Sequence, residues 1–264
     1  MWIGNLLGKT VTQVHAVSLS FLSFAIVAVA WQIAGLFYPE YLFPPLLSVF
    51  NRSVAILTST EAFQHVLMTS ARILGGMVGA FVLGVLFALM MNRSKTMERL
   101  ISPILSLFQG IPALSWVVFA VIWFKGIEVR IFFIMVVTTL PAFAFQILGA
   151  LKAMSKDLVE MTLSFRPSRR QVFSIMVVPS VMPDILTAWR VNLGNASRVV
   201  VVAELVGATG GIGYELMQQQ QLFDMAGAMA WTIQIVLFVL ILQSLLTLME
   251  TILFRYRAVS ERTL

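Results

Sequence analysis

One stretch of this sequence, residues 156 to 173, combines acids, arginines and large apolar residues at helical spacing. Asp157 is placed to cap a short helix, Glu160 lies three residues later, and Arg166 lies near the predicted end, so both ends match the helix dipole. One face carries the apolar side chains of Leu158, Met161 and Phe165. Such an amphipathic rod offers a surface for binding a partner protein. The alternative is an ordinary polar loop.

A second helix is predicted directly after the first. Pro167 ends the first helix because proline cannot donate the next backbone hydrogen bond. Ser168 can then cap a new helix that begins with Arg169 and Arg170. The stretch therefore predicts two short helices joined by a proline turn.

The composition around this stretch is that of an integral membrane protein. Hydrophobic residues make up 59% of the 264 residues, charged residues 11%, and the mean hydropathy is +0.92. We expect one membrane domain with no added soluble domain for ATP or ligand binding. The net charge of +6 does not indicate nucleic acid, because the basic residues flank apolar segments. The sequence has no cysteine, which excludes disulfides and thiolate metal sites.

Six windows are long and apolar enough to cross a bilayer, which needs about 20 residues in a helix. They are residues 19–38, 65–91, 103–124, 131–150, 184–206 and 229–254. Placing the N-terminus in the cytoplasm puts twelve lysines and arginines inside and three outside, as the positive-inside rule requires. We predict a cytoplasmic segment 1–18, a membrane domain 19–254 with a cytoplasmic loop at 151–183, and a cytoplasmic tail 255–264.

Small residues recur at every fourth position of the second window, where they would allow close helix packing. They are Gly76, Ala80, Gly84 and Ala88. Prolines lie inside the third and fourth windows, at Pro112 and Pro141, and predict bends in those helices.

The fifth window is the most polar one, and a helical wheel places its polar residues on a stripe about 120° wide. The stripe contains Arg190, Gly194, Ser197, Arg198 and Glu204. One interpretation is that it lines a translocation path, with Arg198 and Arg72 attracting an anion. The alternative is structural, with Arg190 reaching the membrane boundary and Arg198 paired with Glu204.

Catalytic chemistry lacks its usual parts. The sequence has two histidines, His15 and His65, and contains no zinc-protease or nucleophile-elbow motif. Its three aspartates, at positions 157, 184 and 224, lie outside or at the edges of the predicted spans. We therefore predict no catalytic residue, metal ligand or cofactor site in this chain.

The loop resembles the "EAA" coupling loop of ATP-binding-cassette (ABC) importer permeases. That loop reads Glu-Ala-Ala, three residues, Gly, and then a Phe and a Leu-Pro. The matching residues are Glu160, Ser168 to Phe173, Val178-Pro179 and Pro183. Met161-Thr162 replace the two alanines, and Arg166 stands where the family has glycine. Arg190, Val201 to Leu205 and Gly207 to Gly213 are similar to the nitrate, sulfonate, taurine and bicarbonate group.

The resemblance implies an all-α membrane protein with the fold of a type I ABC importer transmembrane domain and about six transmembrane helices. It also implies a prokaryotic inner-membrane location. The implied partners are two ATPase subunits that hold ATP and Mg²⁺ and bind the loop, a second permease copy in a homodimer, and a periplasmic or lipid-anchored binding protein. Alternating access would move a small anion. Aromatic acids or heterocyclic vitamin precursors are the alternative cargo.

A secondary transporter or channel is the alternative from another functional class. Such proteins commonly contain inverted repeats with broken helices. Residues 19–124 and 131–254 show no convincing repeat of each other. The sequence therefore favours the importer permease.

Overall fold

The structure is a computed structural model that describes residues 22–253, and all regular elements in this range are helical. The predicted terminal segments 1–18 and 255–264 lie outside the described residues, as do the side chains of Leu158 and Arg169. In chain order the helices are α1 (Leu22–Phe37), α2 (Leu46–Thr58), α3 (Thr60–Arg93), α4 (Lys95–Gly110), α5 (Ala113–Trp123), α6 (Ile127–Ala153), α7 (Lys156–Ser164), α8 (Arg169–Gln171), a π-helix (Val172–Val177), α9 (Val178–Leu205), α10 (Ile212–Gln221) and α11 (Met225–Leu253).

Within residues 22–253, four helical segments are long and apolar enough to cross a membrane, and a bent pair makes a fifth candidate. The four are α3, α6, α11 and the continuous segment Val172–Leu205, which joins the π-helix to α9. The first predicted window, 19–38, is described only in part, as the shorter apolar helix α1. The all-helical prediction is confirmed.

The third predicted span is not one straight helix. Its residues belong to α4 and α5, which are bent by 95° relative to each other. The break lies at Ile111, which has φ −78° and ψ 126° because the following proline disfavours helical backbone there. Pro112 is the N-cap residue that directly precedes α5. Pro141, by contrast, lies inside the continuous helix α6.

The chain divides into two compact units. The first comprises, of the described residues, 22–60 and 216–233. Its α1 supports the start of α2, since Gln32 Oε1 accepts a hydrogen bond of 3.1 Å from the Leu46 N–H. The Trp31 indole donates to the Pro44 carbonyl at 2.9 Å. These bonds satisfy polar groups that water cannot reach in an apolar setting.

The second unit comprises residues 61–215 and 234–253 among those described. Its core is built around α6, of which 67% of the most apolar stretch is buried, against 11% for α11. Phe143 on α6 packs against Phe81 of α3 and Trp189 of α9, with ring centroids 5.5 and 5.6 Å apart. The central helix therefore holds α3 and α9 in place, and these two helices carry the charged residues discussed below.

Candidate functional site

The helix α7 begins directly after α6. It starts at Lys156, and the carbonyl of Ser155 accepts the hydrogen bond of the Val159 N–H at 3.2 Å. Asp157 is thus the second residue of the helix, so the prediction that it caps the helix is wrong. Its carboxylate remains in the first turn, where the helix dipole favours negative charge.

Arg166 forms the turn after α7 with a φ of +47°. This left-handed conformation costs a residue with a side chain roughly 1–2 kcal/mol and is usually adopted by glycine. The arginine therefore adopts a backbone conformation typical of glycine, the residue found here in the resembling loop.

The second predicted cap is confirmed. The Ser168 hydroxyl accepts a hydrogen bond of 3.3 Å from the Gln171 N–H, and Gln171 Oε1 accepts one of 2.8 Å from the Ser168 N–H. This reciprocal pair is a capping box, which satisfies two backbone donors at a helix start. It fixes the direction in which the chain leaves the loop.

The helix that leaves the loop widens into the π-helix before α9. The Val178 N–H donates to the Phe173 carbonyl, five residues back. Pro179 follows, and a proline has no N–H and would clash with the carbonyl four residues earlier in an α-helix. The wider turn accommodates the proline without breaking the helix, so the loop is directly continuous with a membrane-spanning segment.

Large apolar side chains of the loop region are exposed. Phe165 is 80% exposed, Ile175 70%, Phe173 58% and Met161 56%. Glu160 and Arg170 are exposed beside them. Several exposed large apolar side chains with charged residues near them in the sequence are typical of a protein interaction site.

The predicted polar stripe of the fifth span does not form one face directed at a common space. Glu204 is 1% and Ser197 7% exposed, so both are buried inside the unit. Gly194 is partly exposed, and a side chain added there would meet no atom within 4 Å. Arg198 is exposed. The helix is turned so that much of the predicted stripe packs against protein.

Arg190 is held by an acid on the last helix. Its Nη2 lies 2.6 Å from Glu250 Oε2, and both side chains are about one third exposed. Arg190 therefore forms an ion pair that joins α9 to α11.

Arg72 and Glu204 form the most buried charge pair in the described part of the chain. Arg72 Nη1 donates to Glu204 Oε1 at 2.7 Å, and their side chains are 6% and 0% exposed. Arg72 Nε also donates to Glu128 Oε2 at 3.0 Å, and Nη2 pairs with the same carboxylate. The pairing of Arg198 with Glu204 is wrong, because Arg72 occupies that position.

The turn between α9 and α10 also binds to the charge pair of Arg72 and Glu204. Arg72 Nη1 donates to the Gly210 carbonyl at 2.7 Å. The Gly213 N–H donates to Glu204 Oε2 at 2.8 Å, and the Ile212 N–H donates to Thr69 Oγ1 at 2.7 Å. These N–H groups belong to the first turn of α10. The first N–H groups of any helix have no acceptor within the helix itself. Glu204 and α3 therefore cap α10.

Gly211 makes this arrangement possible. Its φ is +117°, and a Cβ at this position would overlap the Glu204 carboxylate. At Gly213 a Cβ would lie 2.5 Å from the Val201 carbonyl oxygen. The glycines at positions 211 and 213 are thus required by a close approach of the backbone to a buried acid.

Sequence reasoning missed three members of this network. Thr69 donates to both oxygens of Glu204 at 2.9 and 3.0 Å, His65 Nδ1 accepts from the Gly211 N–H at 3.0 Å, and Glu128 holds Arg72. The available signal was spacing, since positions 65, 69 and 72 share one face of a helix. Nothing local in the sequence indicated that residues 69 and 204 meet.

The small-residue positions of α3 are all buried. A Cβ at Gly76 would lie 2.5 Å from Met135 Cβ, and one at Gly84 would lie 2.8 Å from Phe143 Cβ and 3.2 Å from the Ala144 nitrogen. Ala80 and Ala88 are fully buried. The row therefore faces α6 within the same chain.

Comparison with known proteins identifies the family. Residues 80–257 match the family model of the binding-protein-dependent transport system inner membrane component. The taurine transport system permease protein TauC of Escherichia coli is 27% identical over 72% of this chain and 71% of its own length. The formylaminopyrimidine transport permease protein ThiX of Halalkalibacterium halodurans is 29% identical over 79% and 84%.

Solved structures show the same fold. An inward-facing MetNI methionine ABC transporter matches with a TM-score of 0.61 at 19% identity, covering 74% of this chain and 94% of that chain. An amino acid ABC transporter crystallised with histidines matches with a TM-score of 0.59 at 14% identity, covering 71% and 92%. The expected type I importer fold is confirmed. The matched residues cover more than half of the sequence, and the chain therefore belongs to the family of binding-protein-dependent transport system inner membrane components, the permease subunits of ABC importers.

Proposed function

We propose that this permease subunit moves a small anion across a prokaryotic inner membrane by alternating access. Two ATPase subunits holding ATP and Mg²⁺ would drive the movement from the cytoplasmic side, where both termini lie. A periplasmic or lipid-anchored binding protein would deliver the anion to the opposite face. A second copy of this chain would complete the membrane bundle as a homodimer.

The observation that carries this proposal is the exposed 156–173 loop. It presents Met161, Phe165 and Phe173 to solvent, with Glu160 and Arg170 beside them. It also has a fixed geometry, because the Ser168–Gln171 capping box and the turn at Arg166 set its path. An exposed, preorganised apolar surface suits a partner protein better than it suits water.

The loop can transmit force because it is joined to the spans on both sides. α7 follows α6 within two residues, and the π-helix continues into α9 without a break. When the two ATPase subunits close on ATP, the loops bound to them would move and shift α6 and α9 of each copy. ATP hydrolysis would return these helices to their first positions. The movement of the loop would thus be transmitted to α6 and α9, which form the core.

The anion is supported by the named relatives, which include permeases for taurine and for aliphatic sulfonates. The second candidate cargo is a heterocyclic vitamin or its precursor. It is favoured by relatives of comparable identity that are named for formylaminopyrimidine and riboflavin. An exposed arginine in the fifth span, Arg198, favours the anion.

The proposal is tested by copurification of the ATPase. The double variant Glu160→Arg with Phe165→Asp reverses a charge and adds one to the apolar patch of the loop. We expect it to lose the ATPase that copurifies with the unmodified permease, while its helical content and elution volume stay unchanged.

The matched control makes the same two changes elsewhere. Glu40→Arg with Phe223→Asp alters an exposed glutamate and a phenylalanine that is 76% exposed, both in the first unit. This variant should keep the ATPase. Normal copurification with the loop variant would show that the ATPase binds elsewhere, and the proposed role of the loop would be wrong.

A further inference from the structure

A row of exposed side chains follows one face of α9 for most of its length. Its members are Ser180, Asp184, Thr187, Val191, Asn195 and Arg198; all six are exposed, and all except Val191 are polar. Their spacing of three and four residues keeps them on one side of the helix. At 1.5 Å per residue the row is about 27 Å long, close to the thickness of the hydrocarbon core of a bilayer. We call this row the polar stripe.

The polar stripe differs from the face predicted by the sequence. On a helical wheel its centre lies about 80° away from the centre of the predicted stripe. Only Arg198 belongs to both sets. The remaining charged members of the predicted set are engaged elsewhere, since Arg190 pairs with Glu250, and Glu204 with Arg72.

The polar stripe is not suited to lipid. An arginine or aspartate near the middle of a span costs about 2.5–3.5 kcal/mol on insertion scales. Among residues 22–253, neither Arg198 nor Asp184 has a hydrogen-bond or ion-pair partner. The free energy cost therefore has to be avoided by water or by another protein surface.

We propose that the polar stripe is the wall of the anion path and that Arg198 and Asn195 bind the anion there. This inference rests on the proposed function. The ligand class is a small oxyanion, such as a sulfonate. A guanidinium presents a planar fork of N–H donors that matches two oxygens of an oxyanion, and its charge strengthens both bonds. Asn195, three residues earlier, adds an amide N–H donor about 4.5 Å along the helix axis.

Arg72 and Arg190 do not compete for this role. Arg72 is 6% exposed and shares its charge between two carboxylates. Arg190 is bound to Glu250 at 2.6 Å. Of the arginines at positions 72, 190 and 198, Arg198 alone has no hydrogen-bond or ion-pair partner among residues 22–253.

The opposite end of the polar stripe suits release. Ser180 and Asp184 line a cavity of about 280 Å³, together with residues at the end of α6, Val159 of α7 and Met176 of the π-helix. Asp184 lies about 21 Å along the axis from Arg198. Its negative charge disfavours an anion there, so an anion that has left Arg198 would not be retained beside the loop.

The test uses the absence of cysteine in this chain. Gly194→Cys places a thiol four residues from Arg198, at a position where an added side chain meets no atom within 4 Å. The permease–ATPase complex is labelled with two methanethiosulfonate reagents, one bearing a sulfonate and one a trimethylammonium group. We expect faster labelling by the sulfonate reagent, and a ratio of the two rates that falls about tenfold when Arg198→Gln is added. Arg198→Lys, which keeps the charge, should keep the preference.

The matched control is Gly75→Cys. Gly75 also has open space for a side chain and lies three residues from an arginine, but that arginine, Arg72, is paired with two acids. The Gly75→Cys variant should therefore show no preference for the sulfonate reagent. An unreactive thiol at position 194, or a ratio unchanged by Arg198→Gln, would overturn the inference.

The same samples separate this inference from the proposed function. ATPase copurification is measured on each of them. Retained ATPase together with failed labelling rejects the anion site alone. If the ATPase does not copurify with the unmodified permease, the proposed function is rejected, whatever the labelling shows.

Discussion

The two arginines at positions 72 and 198 illustrate two ways of keeping a charge in a membrane protein. Arg72 is almost fully buried and is surrounded by Glu204, Glu128 and the carbonyl of Gly210. Arg198 is exposed on the same helix that carries Glu204, and it has no partner among residues 22–253. A paired buried charge stabilises structure, whereas an unpaired exposed one is available to a ligand.

This difference assigns different roles to the two faces of α9. The face of Glu204, Ser197 and Ala196 is buried and holds α3, α6 and the turn before α10 in place. The side chains of the polar stripe on the other face are exposed, and neither Arg198 nor Asp184 has a partner among residues 22–253. Changes on the first face should therefore alter stability, and changes on the second should alter function alone.

The largest effect is expected for Glu204→Ala. It removes the acceptor of Arg72, Thr69 and the Gly213 N–H and leaves a buried arginine without its main partner. Breaking a buried ion pair in this way costs about 3–5 kcal/mol. The free energy of unfolding can be measured by SDS titration of the purified permease in detergent micelles.

Glu128→Ala is the matched control for that variant. Glu128 pairs with the same arginine, but its side chain is 68% exposed. Exposed ion pairs contribute about 0–1 kcal/mol. Equal losses for the two variants would show that burial does not distinguish the two acids, and the comparison of the two regions would lose its basis.

A smaller loss is expected for Gly211→Ala. The residue adopts a positive φ, and its added Cβ would overlap the Glu204 carboxylate. Strain and overpacking together cost roughly 2–4 kcal/mol. The same SDS titration measures this loss.

Gly194→Ala tests whether replacing any glycine lowers the free energy of unfolding. A side chain at this position meets no atom within 4 Å, and alanine favours the helix by up to about 1 kcal/mol over glycine. We therefore expect no loss of stability. Similar losses at positions 194 and 211 would indicate a general effect of glycine substitution.

Arg166→Gly should stabilise the 156–173 loop by about 1 kcal/mol, because glycine adopts a φ of +47° without strain. Proteolytic cleavage of the loop in the purified permease is expected to slow accordingly. Arg166→Val, a β-branched residue, should accelerate it. Faster cleavage of the glycine variant would show that the arginine side chain, rather than the turn, orders the loop.

The sequence predicted the features that depend on local physics. Hydrophobic windows located the apolar helices, and the cap at Ser168 and the bend at Pro112 followed from known local preferences. The predicted cap at Asp157 failed by two residues, because Ser155 precedes the helix instead. Helix boundaries are set partly by the preceding element, here α6.

Long-range pairing could not be read from the sequence. The structural alternative drawn from the sequence paired Glu204 with Arg198, which lies six residues away on the same helix. The structure selects Arg72, 132 residues away, because α3 and α9 both pack on α6. The orientation of α9 about its own axis depends on that packing, and so the exposed polar face lies about 80° from the predicted one.

The smallest effect on stability is expected for Arg198→Gln. The side chain is exposed and has no partner in the described range, so its replacement should change the free energy of unfolding by no more than about 0.5 kcal/mol. Arg72→Gln, which leaves Glu204 buried without its cation, should cost about 3–5 kcal/mol in the same titration. If taurine is the cargo, Arg198→Gln should reduce taurine transport by the complete complex in proteoliposomes, although it leaves the free energy of unfolding almost unchanged. A large stability loss for Arg198→Gln would mean that the polar stripe packs against protein, because only an engaged side chain can contribute to folding.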